Sequence, residues 1–305
     1  MSITVIDSAA GMRRILDAAP ADRPDLVREL WAPLAGMYAF VPGGIDLAAV
    51  HAQGFGFPVA GGEAADARLR EALRALEAAN AWARVRTAAE TAAATLAAAD
   101  PGLPVPDLRI LLVLGDPWNA HFVDEVQGLS AFGGISGYIA ITVWPTERVL
   151  ERLEAIVAHE LHHNVRYSPG GVVWDPATVT VGEQVVAEGL ADVFAAELYG
   201  PAGFTHFVAE STRADDGVLA TVAGGLGTTG MADFAAWVLG DSTARLFGAE
   251  PVGLPTGAGY AAGARLVAAY LDATGRTAAQ SVRTPSADIL ELALPRLGLL
   301  PGTAH

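Results

Sequence analysis

No cysteine occurs in the 305 residues. That single absence excludes disulfides, thiolate metal ligands and a cysteine nucleophile, and it removes the usual cue to redox compartment. Charge is scarce as well. Charged residues make up 17% of the chain and hydrophobic residues 52%, a globular balance and not a disordered one. The net formal charge is −15, and no Lys/Arg-rich run interrupts it. Phosphate binding needs a basic face, so no nucleic-acid partner is expected. The acidic excess is mainly a statement about solubility. An uninterrupted apolar run of about 18 residues is also missing, so no membrane span is expected. The opening residues, MSITVIDSAAGMRRILDAAP, lack a signal peptide's order of basic, apolar and small-residue regions. A cytoplasmic location is the expectation.

The chain is long enough to bury a large core as one domain, residues 1–305. Its periodicity predicts an α+β fold that is predominantly α-helical. SITVID (2–7) reads as a short strand, followed by a helix with Ser8 as its cap. RPDLVRELWAPLAGMY reads as helix until VPGG, and residues 63–100 carry helical period without Pro or Gly, as one long helix or two. LRILLVLG (108–115) is a buried strand, and the glycine-rich stretch from 128 leads into a second strand over 138–143. A helix is expected from near Thr146, another over 181–200 and a third over 260–274. Three parts follow: a strand plus helices to residue 105, the sheet and two motif helices over 106–200, and a helical remainder from 201.

Histidine is rare, seven in all, yet three of the seven lie in HELHH, residues 159–163. On a helix, positions i and i+4 share a face one turn apart. His159 and His163 can therefore reach one ion at about 2.0–2.1 Å. Glu160, directly after the first histidine, sits beside the ion without ligating it and is placed to take a proton from a water. His162, at i+3, is the outlier and is expected to pack or hydrogen-bond nearby. The alternative, a solvated helix face, conflicts with the apolar LEAIVA that precedes the motif, where unpaired polar groups would be costly to bury.

A catalytic zinc needs a third protein ligand and one open position. AEGLAD supplies Glu188, 25 residues after His163 on the next predicted helix. Asp192, at i+4 from Glu188, faces the same way and could accept the free ring N–H of a ligand histidine, fixing its tautomer. Gly189 would let the two motif helices approach closely.

H-E-x-x-H followed by E-x-x-x-D on a later helix is similar to the gluzincin pattern of thermolysin-like proteases. More closely, VAHELHHNVR with GEQVVAEGLADVFAAELYG resembles a bacterial family of predicted zinc-dependent proteases, a domain of unknown function. The likeness is strongest over 150–200, with a weaker echo in GYAAGARLVAAYL (259–271). It implies a zincin-like core: one zinc per chain held by His159, His163 and Glu188, with Glu160 as general base. It also implies a small mixed sheet packed on the active-site helix. The edge strand of that sheet, matched here by 138–143, would pair with an extended peptide or protein substrate. In gluzincins a Tyr or His from the C-terminal part steadies the developing oxyanion, and Tyr260, flanked by glycines in GAGYAAG, is the candidate. Tyr199, Tyr167 and His206 are weaker ones.

The reading is thus a zinc-dependent metallopeptidase. Two others use the same residues: a zinc-dependent hydrolase of a non-peptide amide or ester, and a non-catalytic, metal-stabilised regulatory or binding protein. The last predicts a fourth protein ligand, His162 foremost, closing the shell. Arg166 reads as an ion-pair partner, and His51 and His121 as satisfied structural residues.

Overall fold

The computed structural model describes residues 1–299. In chain order its elements are β1 (Ile3–Val5), α1 (Ser8–Asp17), α2 (Arg23–Trp31), α3 (Leu47–Gln53), α4 (Glu63–Ala78), α5 (Ala81–Ala99), β2 (Leu108–Leu114), β3 (Leu129–Phe132), β4 (Tyr138–Val143), α6 (Glu147–Leu150), α7 (Leu153–Arg166), α8 (Val181–Tyr199), α9 (Glu210–Ala214), α10 (Asp216–Gly225), α11 (Asp241–Phe247), α12 (Ala258–Thr274) and α13 (Ser286–Arg296). The architecture is α+β, rich in helix, with one small mixed sheet. No helix among the described residues is long and apolar enough to cross a membrane. The chain forms two compact units, Met1–Ala94 with Val105–Asn164, and Thr95–Pro104 with the residues from Val165 onward. These boundaries differ from the divisions near 105 and 200 read from sequence. Residues 95–104 go with the later unit, where Asp100 pairs with Arg283.

In the first unit the four strands run in the order β1-β2-β4-β3. β1, β2 and β4 are parallel, and β3 lies antiparallel on β4. β2 is buried at every position but Arg109, which is why it reads as a continuous apolar run. Residues 138–143 do form a strand, but it is interior. β2 occupies one side of it, and β3 covers residues 140–143 on the other, so β4 is not the edge strand. The edge strands are β1 and β3, and β3 is too short at four residues to show a period. Asp7, not Ser8, caps α1, its side chain accepting from the Ala10 N–H. Ser8 is buried, donates to the Leu112 carbonyl and accepts from Trp82. Residues 63–99 are two helices, parted at Asn80 with φ +55, a left-handed conformation that Asn tolerates. Thr146 caps only the one-turn α6. The motif helix α7 starts afresh at Leu153, anchored by Arg84, which donates to both Glu154 oxygens at 2.5 and 2.6 Å and to the Leu150 carbonyl at 2.6 Å.

The second unit is built on α8, which is buried along most of its length, its polar Glu183, Gln184 and Asp192 included. Thr180 caps it by accepting from the Glu183 N–H at 3.0 Å. Gly189 makes a close approach to Gly263. A Cβ on Gly189 would lie 2.8 Å from the Cα of Gly263 and closer still to its carbonyl. The helix that Gly189 admits is α12. Two glycines meet because any side chain at that crossing would hold the backbones apart.

Candidate metal centre

Every residue of HELHH is buried. The apolar positions Leu153, Val157, Leu161 and Val165 carry α7 into the core, and the same turns take the histidines with them. His159 and His163 follow the i, i+4 spacing of the helix. Their rings are edge to face, centroids 4.8 Å apart, with the two Nε2 atoms facing at 3.1 Å. Two donors each about 2.0–2.1 Å from a shared ion at a tetrahedral angle lie roughly 3.3 Å apart. The histidine pair is within a few tenths of an ångström of that arrangement.

Glu188 completes the group. One ligand atom from each of His159, His163 and Glu188 lies within 4.8 Å of the others. Two imidazoles and a carboxylate suit a divalent transition ion, zinc included, and are a poor set for a hard, all-oxygen ion such as calcium. The residues fit the metal that the sequence motif implies. His162 is fully buried and does not belong to the group, which has three members among the described residues. Three protein ligands leave a position open, whereas a structural zinc site is closed.

The other candidates fall where their elements put them. Glu160 follows His159 on α7 and is 5% exposed. Asp192, one turn after Glu188, is fully buried and accepts from the Thr205 hydroxyl at 2.7 Å and the Thr205 N–H at 3.2 Å, with Arg213 at 3.9 Å. Tyr260 is half-buried in the first turn of α12, its ring edge-on to Phe207 at 5.5 Å. Gly263 follows it by three residues, so Tyr260 lies one turn from the α8–α12 crossing.

Two residues at the end of the motif helix have partners that the sequence does not specify. Arg166 is an ion-pair residue, as expected, and a fully buried one. It has no exposed surface and grips Glu183 with both ends of its fork, at 2.7 Å each, while its remaining nitrogen donates to the Val282 and Thr284 carbonyls at 3.0 Å. Burial alone would lower the Arg166 pKa, but the Glu183 carboxylate outweighs it and raises the value. Tyr167 donates to the same carboxylate at 3.0 Å, and burial followed by the nearby negative charge pushes its hydroxyl well up. Glu183 stands three residues after Thr180, the spacing of a capping box, and that spacing disguises its engagement with Arg166. The second is Asn164, whose side chain bonds only to backbone; nothing in its type announces which backbone.

Two histidines outside the motif have partners of their own. His51 is buried, accepts from the Trp31 indole at 3.1 Å and meets the Phe57 carbonyl at 2.9 Å. An indole N–H can only donate, so His51 is the neutral tautomer carrying its proton on Nε2. His121 stacks on Phe55 at 5.9 Å.

Comparison with known proteins bears on the same region. Residues 88–291 match the family described as "Predicted Zn-dependent protease (DUF2268)". Over 188 residues the chain is 33% identical to the uncharacterized protein YjfC of Bacillus subtilis (strain 168). That match covers 60% of this chain and 60% of the relative, so the chain spans about three-fifths of that protein's length. No solved structure matches.

Proposed function

We propose that this chain, which belongs to the family of predicted zinc-dependent proteases, is a metallopeptidase of the gluzincin type that hydrolyses peptide bonds at His159, His163 and Glu188. The observation that carries the reading is the convergence of those three donors, with Glu160 next to the first of them on the same buried helix. His159, His163 and Glu188 would hold one zinc ion per chain. Zinc bound there supplies Lewis acidity, which polarises a carbonyl and makes a water acidic near neutral pH.

The protein's own groups do the rest. Glu160 takes the proton of the attacking water and returns it to the departing amine, the work of a general base and then a general acid. Asp192 accepts a ring N–H of a ligand histidine and so fixes its tautomer. Its bonds from Thr205 hold the carboxylate still for that purpose. Tyr260 donates to the oxygen on which charge develops. An extended peptide lies along β3, the edge strand that leads into Gly133 beside Glu160.

The test compares the wild type with Glu160→Gln. Zinc content is measured on both, and cleavage of a random peptide library is followed by mass spectrometry. One zinc in each protein is expected, with cleavage by the wild type reduced about 10²–10⁴-fold in the variant. A wild type that holds no zinc sinks the proposal, as does a variant that cleaves at the wild-type rate. Zinc in both and cleavage by neither would point to a metal-stabilised protein without turnover.

A further inference from the structure

Asn164 is the last residue of α7 within the first unit, and its side chain is fully buried. Its hydrogen bonds go only to backbone, in the connection between β3 and β4 and at Tyr138, the first residue of β4. Its Nδ2 donates to the carbonyls of Gly133, Ile135 and Tyr138 at 3.0, 2.9 and 2.8 Å. Its Oδ1 accepts from the Gly137 N–H at 2.7 Å. Three carbonyls on one side and an N–H on the other leave no doubt about which end of the carboxamide is nitrogen. No other side chain of this size offers both donors and an acceptor in that arrangement. Asp has no donor, and Leu has neither.

The connection is held where it matters. A Cβ on Gly133 would lie 2.9 Å from both the carbonyl carbon and the Cβ of Glu160, and closer still to the Glu160 carbonyl oxygen. The loop backbone thus rests on the helix at Glu160 itself. Asn164 is at i+4 from Glu160, as His163 is from His159. α7 therefore presents two adjacent ridges. One carries the pair His159 and His163, and the next carries Glu160 and Asn164 and is covered by the loop. Residue 132, the end of the edge strand β3, is followed directly by this clamped glycine.

We propose that Asn164 is a positioning residue: it locks the β3–β4 connection onto α7, so that the open edge of β3 keeps a fixed distance and register to Glu160. The proposal rests on the peptidase reading for its purpose, since a strand-like substrate laid along β3 is aimed at the base only if β3 cannot drift. Orienting a substrate in this way is where much of an enzyme's advantage over solution arises. The loop's own bond, from the Tyr138 N–H to the Ile135 carbonyl at 3.2 Å, does not suffice for this, because the other groups that Asn164 satisfies would be left for water.

The experiment uses the full chain as wild type, Asn164→Ala and Gly133→Ala. The second variant leaves the carboxamide in place and pushes the loop off Glu160, so it serves if the first does not fold. Each is measured for zinc content, for amide hydrogen exchange by mass spectrometry, and for kcat/KM on a decapeptide that the wild type cleaves and on truncations of it. One zinc per chain is expected throughout. Amides of residues 129–138 should exchange about tenfold faster or more, while those of 157–163 stay protected. The decapeptide should lose about tenfold or more in kcat/KM, and the shortest cleaved truncation under about threefold, because only the longer one uses the edge. Wild-type exchange at 129–138 in both variants overturns the proposal. So does an equal loss on long and short peptides, which is what a purely structural role produces. Should the wild type cleave no peptide, the peptidase reading falls by itself, and the exchange comparison, which needs no substrate, still decides whether Asn164 holds the edge.

Discussion

Arg166→Met should be among the most damaging single substitutions in this protein. The guanidinium has no exposed surface, and the Glu183 side chain is 7% exposed. Removing the cation strands a carboxylate in the interior with the Tyr167 hydroxyl, at 3.0 Å, as its remaining side-chain donor. It also takes a donor from the Val282 and Thr284 carbonyls. Breaking one partner of a buried pair costs about 3–5 kcal/mol. By contrast, an exposed pair is worth about 0–1 kcal/mol, so the two regimes are easily told apart. The double variant Arg166→Met, Glu183→Leu removes the stranded charge. It keeps the penalty for two carbonyls and one hydroxyl, about 1 kcal/mol each, and should be more stable than Arg166→Met alone. Urea unfolding followed by circular dichroism, with metal chelated so that binding does not contribute, measures all three proteins, provided the slopes agree. A loss below about 1 kcal/mol for Arg166→Met, or a double variant less stable than the single, would refute the reasoning. Arg166 is three residues after His163 and Glu183 five before Glu188, so zinc affinity should fall along with stability.

Three further outcomes are expected. Gly189→Ala should destabilise by about 1–3 kcal/mol or more, because the new methyl meets Gly263 backbone that only a shift of whole helices can clear; it should also weaken zinc binding through Glu188 next door, read by competition with a chelator, and wild-type behaviour in both assays would count against the crossing. Glu188→Ala should abolish stoichiometric zinc in metal analysis while leaving a folded protein by circular dichroism; retained stoichiometric zinc would remove Glu188 from the ligand set. His51 is pushed down to about 4 by burial, partly opposed by its bond to the Phe57 carbonyl. Its unfolded value is about 6.5, so the unfolded chain binds the extra proton first, and stability is present above pH 6.5 and lost as pH falls toward 4. A shift of that size corresponds to about 3 kcal/mol. His51→Gln should flatten the stability profile between those limits by up to about one proton's slope, and identical profiles would show that His51 does not titrate there.

What could be read from the chain was whatever a single helix decides. His159 and His163 share a ridge because four residues make about one turn. Glu160 follows from adjacency, and Glu188 and Asp192 repeat the same spacing on α8. The burial of α7 was legible in LEAIVA. Strand β2 was legible too, because a strand covered on both faces is apolar throughout.

The tertiary structure decided the neighbours. Residues 138–143 have the composition of a strand at an edge or at the centre alike. Four residues of β3, laid antiparallel over 140–143, made it central. Gly189 announced a close approach, and the partner shown for it, Gly263 on α12, lies 74 residues away. Arg166 announced a charge without naming Glu183, Val282 or Thr284, the last 118 residues distant. Asn164 followed the motif by one position, yet its partners lie on a loop some thirty residues upstream. Periodicity within a turn is set by the geometry of the backbone and is written locally. Which surfaces meet depends on the packing of the whole chain, and a residue's type records only that some partner is needed.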